Sequence, residues 1–132
     1  MAQHSQILVV DDDIDQCQEM SEFLASVGFS VATASDGFGA VEQISKTSPR
    51  VILLDINMPG WNGLRVSEIA RSLDHRCVII LMTGDDASRL KAVESETGAV
   101  GVFAKPVQLD KLVEFLKVTV GNCDAPVIAA AQ

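Results

Sequence analysis

Short apolar runs alternate with segments of helical periodicity along this chain, and the alternation restricts the fold more than any other feature. Two of the runs, ILVV and VIILM, are continuously apolar, as strands covered on both faces are. The predicted strands occupy residues 6–10, 30–34, 50–54, 77–82 and 100–104. Helical patterns follow each of them, so the order βαβαβαβαβα predicts a parallel sheet with helices on both faces.

Five helical patterns supply the connections between these strands. Right-handed crossovers through them predict a five-stranded doubly wound sheet of order 2-1-3-4-5. Gly28 and Gly98 provide C-terminal stops for the first and fourth helices. The apolar positions are Ile14, Cys17, Met20, Phe23, Leu24 and Val27; then Phe38, Val41 and Ile44; then Val66, Ile69, Ala70 and Leu73; then Leu90 and Val93 within 86–97; then Leu109, Leu112, Val113 and Leu116.

Length and charge restrict the classes of function. A chain of 132 residues predicts one domain, which we place at 1–120, with 121–132 as a C-terminal tail or the start of a linker. Hydrophobic residues make up 48% of the chain, enough for a folded core. The formal net charge of -8 argues against direct nucleic-acid binding through a generic basic surface.

Cysteine usage and the N-terminus indicate a cytoplasmic protein. The three cysteines form no Cys-x-x-Cys pair, so we expect free thiols rather than a disulfide framework. Neither histidine has zinc-ligand spacing to a cysteine. The N-terminal segment has no basic region before its apolar run, and no run is long enough to insert into a membrane.

Polar residues that can hold a cation or an anion come directly after four of the predicted strands. Asp11–Asp13 follow the first strand, Asp55 the third, Thr83 the fourth and Lys105 the fifth. The carboxyl ends of parallel strands share one edge of the sheet, and the first and third strands are neighbours at its topological switch point. We therefore expect these side chains to converge in one cleft.

The chemistry of such a cleft is that of a phosphoryl site. Carboxylates about 4 Å apart repel by roughly 4 kcal/mol at an effective dielectric near 20, so a cluster of them favours a bound cation or a proton. Mg²⁺ prefers carboxylates, water and phosphate oxygens. An ammonium from Lys105 and a hydroxyl from Thr83 would meet an anion beside that cation.

Each of these residues also has a simpler structural explanation. Asp13 is best explained as the N-cap or a first-turn acid of the following helix, and Asp11 or Asp12 alone fits the same role. Asp55 alone fits a turn, and Thr83 and Lys105 alone fit a strand end and a solvated cation. A shared site explains the polar residues at matching ends of four strands more simply than a separate structural role for each of them.

Four motifs resemble the receiver domains of two-component response regulators, the chemotaxis regulators among them. They are VVDD (9–12), LLDINMPGWNG (53–63), LMTG (81–84) and KP (105–106), and the resemblance covers roughly residues 5–120. It implies a flavodoxin-like (βα)5 fold. By this resemblance Asp55 is the phosphoacceptor, and it receives its phosphoryl group from a histidine kinase or a histidine phosphotransfer protein. The only catalysis implied is self-phosphorylation and hydrolysis of the aspartyl phosphate.

The resemblance also implies the ligands of the site. Mg²⁺, or Mn²⁺ in its place, would be held by carboxylates and one backbone carbonyl, and phosphoryl oxygens by a hydroxyl and an ammonium. Pro106 would follow a cis peptide bond. The implied metal ligands are Asp11, Asp12, Asp55 and the carbonyl of Asn57, and the implied phosphoryl contacts are Thr83 and Lys105.

Proteins of the resembled family signal through a population shift that alters partner binding. For this chain the resemblance implies binding to an unknown downstream protein. It also implies that the chain is a monomer or a weak phosphorylation-dependent dimer. The switch would join Thr83 to an aromatic residue three positions before the Lys-Pro lysine, and this chain carries Val102 there. Phe103 is adjacent, but strand alternation directs it to the opposite face. Trp61 in the loop after Asp55 suggests local packing or a partner contact.

Other functions remain as alternatives. A phosphate-independent, receiver-like binding module is one, and the valine at 102 leaves it open, although the acids, the acceptor aspartate and the lysine that degenerate members of the family usually lose are all present. A Mg²⁺-dependent phosphatase of the haloacid dehalogenase type is another, although Asn57 stands where its acid/base aspartate is expected. An FMN carrier shares the fold, but three aspartates after the first strand repel phosphate. Phe115 and Val118 fall outside the apolar stripe of the last helix and fit either incidental exposure or a docking surface.

Overall fold

The computed structural model describes residues 6–56, 63–73, 77–84 and 99–119. Within these ranges five parallel strands form one sheet of order β2-β1-β3-β4-β5, which confirms the predicted topology. The strands are β1 (Ile7–Val10), β2 (Val31–Ala34), β3 (Val51–Asp55), β4 (Val78–Thr83) and β5 (Gly101–Ala104). The helices are α1 (Ile14–Ser26), α2 (Gly37–Thr47), α3 (Gly63–Leu73) and α4 (109–119). Asn57, Trp61, Cys123, the predicted helix at 86–97 and the tail at 121–132 lie outside the described residues.

Two hydrophobic layers cover the sheet, one on each face. Side chains alternate along a strand, so neighbouring residues of the three central strands enter opposite layers. On β3, for example, Leu54 belongs to the layer with α2 and α3, and Leu53 to the layer with α1 and α4. Both leucines are completely buried. This double burial is why the central strands read as uninterrupted apolar runs.

The ends of α1 follow local sequence signals. Asp13 is the N-cap, as predicted, and its side chain accepts a hydrogen bond from the Gln16 backbone N–H at 3.1 Å. Gly28 follows the helix with φ of +107°, a left-handed conformation that glycine adopts without strain. Asp13 thus begins α1 shortly after the end of β1, and Gly28 ends the helix before β2.

The predicted apolar stripes are wrong at their ends. Ile14 in α1 and Phe38 in α2 have exposed fractions of 67% and 74%. Phe38 precedes the buried Ile44 by six residues, which turns it about 120° away from the buried face of an α-helix. The buried face of α2 is instead lined mainly by small residues such as Ala40 and Thr47.

Phe115 is partly buried and packs against the layer that contains α1 and α4, which corrects the interpretation that it lies outside the core stripe of the last helix. Its ring packs edge-on against Phe103, with centroids 5.7 Å apart and planes at 84°. It also covers Gly101, where an added Cβ would lie 2.9 Å from Phe115 Cζ. Val118 remains exposed. Val102 packs into the opposite layer, as the alternation predicted.

Two further expectations concern thiols and membranes. Cys17 and Cys77, the two cysteines within the described ranges, are buried and are not joined by a disulfide. Among the described residues, no helix combines the length and the apolar character that crossing a bilayer requires.

Candidate functional site

Backbone hydrogen bonds fix the polar residues along the carboxyl edge of the sheet. Asp55 and Thr83 are the last residues of β3 and β4, one position further into their strands than the sequence pattern suggested. Asp11 and Lys105 come directly after β1 and β5. The Asp11 N–H donates to Ala34 O at 3.1 Å, and the Lys105 N–H donates to Thr83 O at 2.8 Å. The pairing of the strands therefore sets where each side chain begins.

Three carboxylates meet at this edge. Asp11, Asp12 and Asp55 each present an oxygen atom within 4.8 Å of the other two. Asp11 and Asp55 are buried, and Asp12 is exposed to solvent. The donor set contains hard oxygen atoms alone, and its open side has room for water, so the chemistry of these residues fits Mg²⁺.

The Lys105 ammonium lies between the two buried carboxylates. Its Nζ donates to Asp11 Oδ2 at 3.0 Å and to Asp55 Oδ2 at 3.1 Å. Burial alone would lower the pKa of Lys105, but the hydrogen bonds to Asp11 and Asp55 outweigh it and raise the pKa above 10.5. The lysine is therefore cationic at neutral pH and offsets part of the acidic cluster.

Asp11 connects this cluster to α1. Its Oδ1 accepts the Asp13 N–H at 3.0 Å, while its Oδ2 accepts Lys105. Burial raises the pKa of Asp11 above 3.8, the charge of Asp55 raises it further, and the two hydrogen bonds oppose the shift without cancelling it. Ionised Asp11 is therefore a cost to the metal-free fold near neutral pH.

Replacing Asp11 by asparagine is expected to stabilise the metal-free protein at pH 7 by about 1 kcal/mol, because it removes the cost of burying a charged carboxylate and the smaller repulsion from Asp55, while losing part of the Lys105 pairing. A raised pKa means that the stability due to protonated Asp11 is present below pH 3.8 and is lost as the pH rises through the folded-state pKa. The advantage of the variant should therefore shrink as the pH falls. Urea unfolding in EDTA across a pH series measures it, with Asp110→Asn as the exposed control.

A variant less stable than the wild type at pH 7, or a difference independent of pH, would contradict this account of Asp11.

The remaining predicted residues lie close to the edge or on β5. Thr83 is completely buried. The Lys105–Pro106 peptide bond is cis, as the resemblance implied. Val102 is partly buried against the layer that contains α2 and α3. The sequence analysis missed Gln16, whose Oε1 lies 3.5 Å from Lys105 Nζ.

A cavity of about 470 Å³ opens beside the ammonium of Lys105, between α1 and the segment that follows β5. Methionine, proline, valine and leucine side chains provide its apolar wall, and acidic and amide groups lie with the lysine on its polar side. Its lining residues are Asp11, Gln16, Glu19, Met20, Met82, Lys105, Pro106, Val107 and Leu109. The cavity thus reaches Asp11 and Lys105 from the side of α1.

Comparison with known proteins gives a consistent result. The sequence model of the family described as "Response regulator receiver domain" matches residues 7–117. The chain is 34% identical over 111 residues to the transcriptional regulatory protein PrrA of Mycobacterium leprae, covering 84% of this chain and 48% of that protein. It is 33% identical over 112 residues to the sensor histidine kinase RcsC of Salmonella typhi, covering 85% of this chain and 12% of that one.

A solved structure agrees with these matches. The chemotaxis protein CheY4 of Vibrio cholerae superposes with a TM-score of 0.80 at 29% identity, covering 88% of this chain and 98% of that chain. The present chain spans less than half the length of the two curated relatives above.

Proposed function

The chain belongs to the response regulator receiver domain family, and we propose that it accepts a phosphoryl group on Asp55 from a histidine kinase or a histidine phosphotransfer protein. The observation that carries this proposal is the Lys105 ammonium, held 3.1 Å from Asp55 Oδ2 at the edge of the sheet. A cation fixed beside a buried carboxylate is placed to neutralise a phosphoryl group that becomes attached to that carboxylate.

The transfer is a simple exchange of bonds. One carboxylate oxygen of Asp55 attacks phosphorus, the O–P bond forms, and the N–P bond to the donor imidazole breaks, leaving its electron pair on nitrogen. No redox partner is needed. Because the transition state is loose, positioning and charge neutralisation supply most of the catalysis. We assign these roles to Lys105 and Thr83, whose backbones are joined by a hydrogen bond at the ends of β4 and β5.

Mg²⁺ is the proposed cofactor, with Mn²⁺ as a substitute. Asp11, Asp12 and Asp55 would hold it, and the backbone carbonyl of Asn57 is the additional ligand that the family resemblance implies. When bound, the cation supplies neutralisation of phosphoryl charge. The convergence of the three carboxylates supports this assignment.

The proposed signal is a change in protein binding that follows phosphorylation. Thr83 would move toward the new phosphoryl group. Val102 on the adjacent strand would undergo a smaller side-chain rearrangement than an aromatic residue at position 102. PrrA and RcsC bear the names of a transcriptional regulator and of a sensor kinase. We infer a cytoplasmic signalling role, with the downstream protein target to be identified experimentally.

Incubation with acetyl phosphate or phosphoramidate tests the proposal. Intact mass spectrometry of the wild type is expected to show one added phosphoryl group with Mg²⁺ and at least about a tenfold smaller fraction in EDTA, because the unneutralised carboxylates repel the donor. Fragmentation after borohydride reduction should locate the modification at Asp55. Absence of an adduct from small donors and from a phosphorylated histidine phosphotransfer protein would favour the phosphate-independent binding module instead.

A further inference from the structure

We propose that Gln16 is a positioning residue for Lys105, its side-chain amide oxygen keeping the ammonium beside Asp55 during phosphoryl transfer. This inference rests on the proposed function, because it assigns a role at the same site. Gln16 is the third residue of α1, is exposed, and lines the cavity next to Lys105. Its position allows it to act on the lysine without contributing to the hydrophobic core.

The contacts of Lys105 define what Gln16 adds. A lysine ammonium has three N–H donors and no acceptor. In the described part of the chain, two of them meet carboxylates, Asp11 Oδ2 at 3.0 Å and Asp55 Oδ2 at 3.1 Å. The third acceptor is Gln16 Oε1 at 3.5 Å, a longer contact and the uncharged one of the three.

A competing use of the Gln16 side chain is removed by Asp11. The spacing Asp13-x-x-Gln16 matches a capping box, in which the glutamine would reach back to the N–H of the N-cap residue. Here the Asp13 N–H donates to Asp11 Oδ1 at 3.0 Å. The Gln16 side chain turns instead toward Lys105, a residue 89 positions away in the sequence.

The uncharged acceptor matters because the two charged ones change during the reaction. A cation held by Asp11 weakens the attraction of that carboxylate for Lys105, and phosphorylation converts Asp55 from a carboxylate into an acyl phosphate. The amide of Gln16 is altered by neither event. Glu19 lines the same cavity and offers a carboxylate that would draw a loosened ammonium away from Asp55.

Paired variants on one helix test this role. Gln16→Met keeps the length of the side chain and removes the acceptor oxygen. Gln18→Met makes the same exchange at an exposed position whose amide donates to Glu22 instead. The maximal phosphorylation rate of Gln16→Met with phosphoramidate and Mg²⁺ should fall about threefold to tenfold, as expected for one lost hydrogen bond. Gln18→Met should keep the wild-type rate.

Three additional readouts separate positioning from structural damage. The phosphoramidate concentration for half-maximal rate and the Mg²⁺ dissociation constant, from calorimetry, should match the wild type in Gln16→Met. Hydrogen exchange of the ¹⁵N-labelled Lys105 ammonium, followed by NMR without metal, should be faster in Gln16→Met than in Gln18→Met. This last measurement detects the contact without any phosphoryl chemistry.

The outcomes distinguish this inference from the proposed function. Equal maximal rates for Gln16→Met and the wild type would overturn the role of Gln16 and leave the phosphoacceptor assignment intact. A lower rate accompanied by weaker Mg²⁺ binding would also overturn it, since the residue would then support the metal site. A wild-type protein that no donor phosphorylates would overturn the proposed function, and with it any role in transfer.

Discussion

Replacing Asp55 by asparagine is expected to abolish phosphoryl uptake, lowering the rate by at least about a thousandfold, because a neutral amide is a poor nucleophile where a carboxylate is required. The exchange preserves the shape of a side chain that is buried at the end of β3. It also leaves Asp11 to pair with Lys105. The variant should therefore fold, and intact mass after incubation with acetyl phosphate and Mg²⁺ measures the loss.

Asp110→Asn is the matched control, since it removes a carboxylate from an exposed position in α4. It should be phosphorylated at the wild-type rate. Circular dichroism and urea unfolding of Asp55→Asn exclude loss of structure as the cause. Mg²⁺-dependent uptake by Asp55→Asn at a rate near that of the wild type would assign the acceptor to another residue.

Replacing Lys105 by methionine is expected to move two properties of the site in opposite directions. The phosphorylation rate should fall about a hundredfold to a thousandfold, because a fixed cation no longer neutralises the developing phosphoryl charge. Mg²⁺ binding should become tighter by about tenfold, because the ammonium that offsets Asp11 and Asp55 in the metal-free protein is gone. Calorimetry and initial-rate measurements test both parts in one preparation.

Lys46→Met provides the control for this second prediction. Lys46 is an exposed lysine of α2 that pairs with Glu42 one turn away, so its loss should change neither quantity measurably. Weaker Mg²⁺ binding in Lys105→Met would show that the lysine organises the acidic cluster rather than competing with a cation for it.

The sequence was sufficient for the topology and for the convergence of Asp11, Asp12, Asp55 and Lys105, because both depend on where apolar runs end. Asp11, Asp55, Thr83 and Lys105 come at the carboxyl ends of strands, and parallel strands bring those ends to one edge. The contacts among them were not predictable. The position of Lys105 between two carboxylates depends on side-chain rotamers, which periodicity does not encode.

Helix faces were the other place where periodicity was insufficient. Phe115 lies at the flank of the α4 stripe, and its burial depends on a neighbour in another element, because Gly101 leaves the space above β5 that the ring occupies. The glycine within a predicted strand was the available signal, since such glycines often mark a close approach of another group. The sequence signal for Gln16 was its capping-box spacing from Asp13. The Asp13 N–H that the box would use donates to Asp11 instead.

The residues of the site come from distant parts of the chain: 50 positions separate Asp55 from Lys105, and 94 separate Asp11 from Lys105. No short segment contains the reactive arrangement, which exists only after β1, β3, β4 and β5 have paired. A chain still emerging from the ribosome, or one that has lost its β5 pairing, has the aspartate but not the surroundings that make it an acceptor. Under the proposed function, phosphorylation therefore requires the completely paired sheet. Misfolded copies in the cell would not be phosphorylated and would not signal.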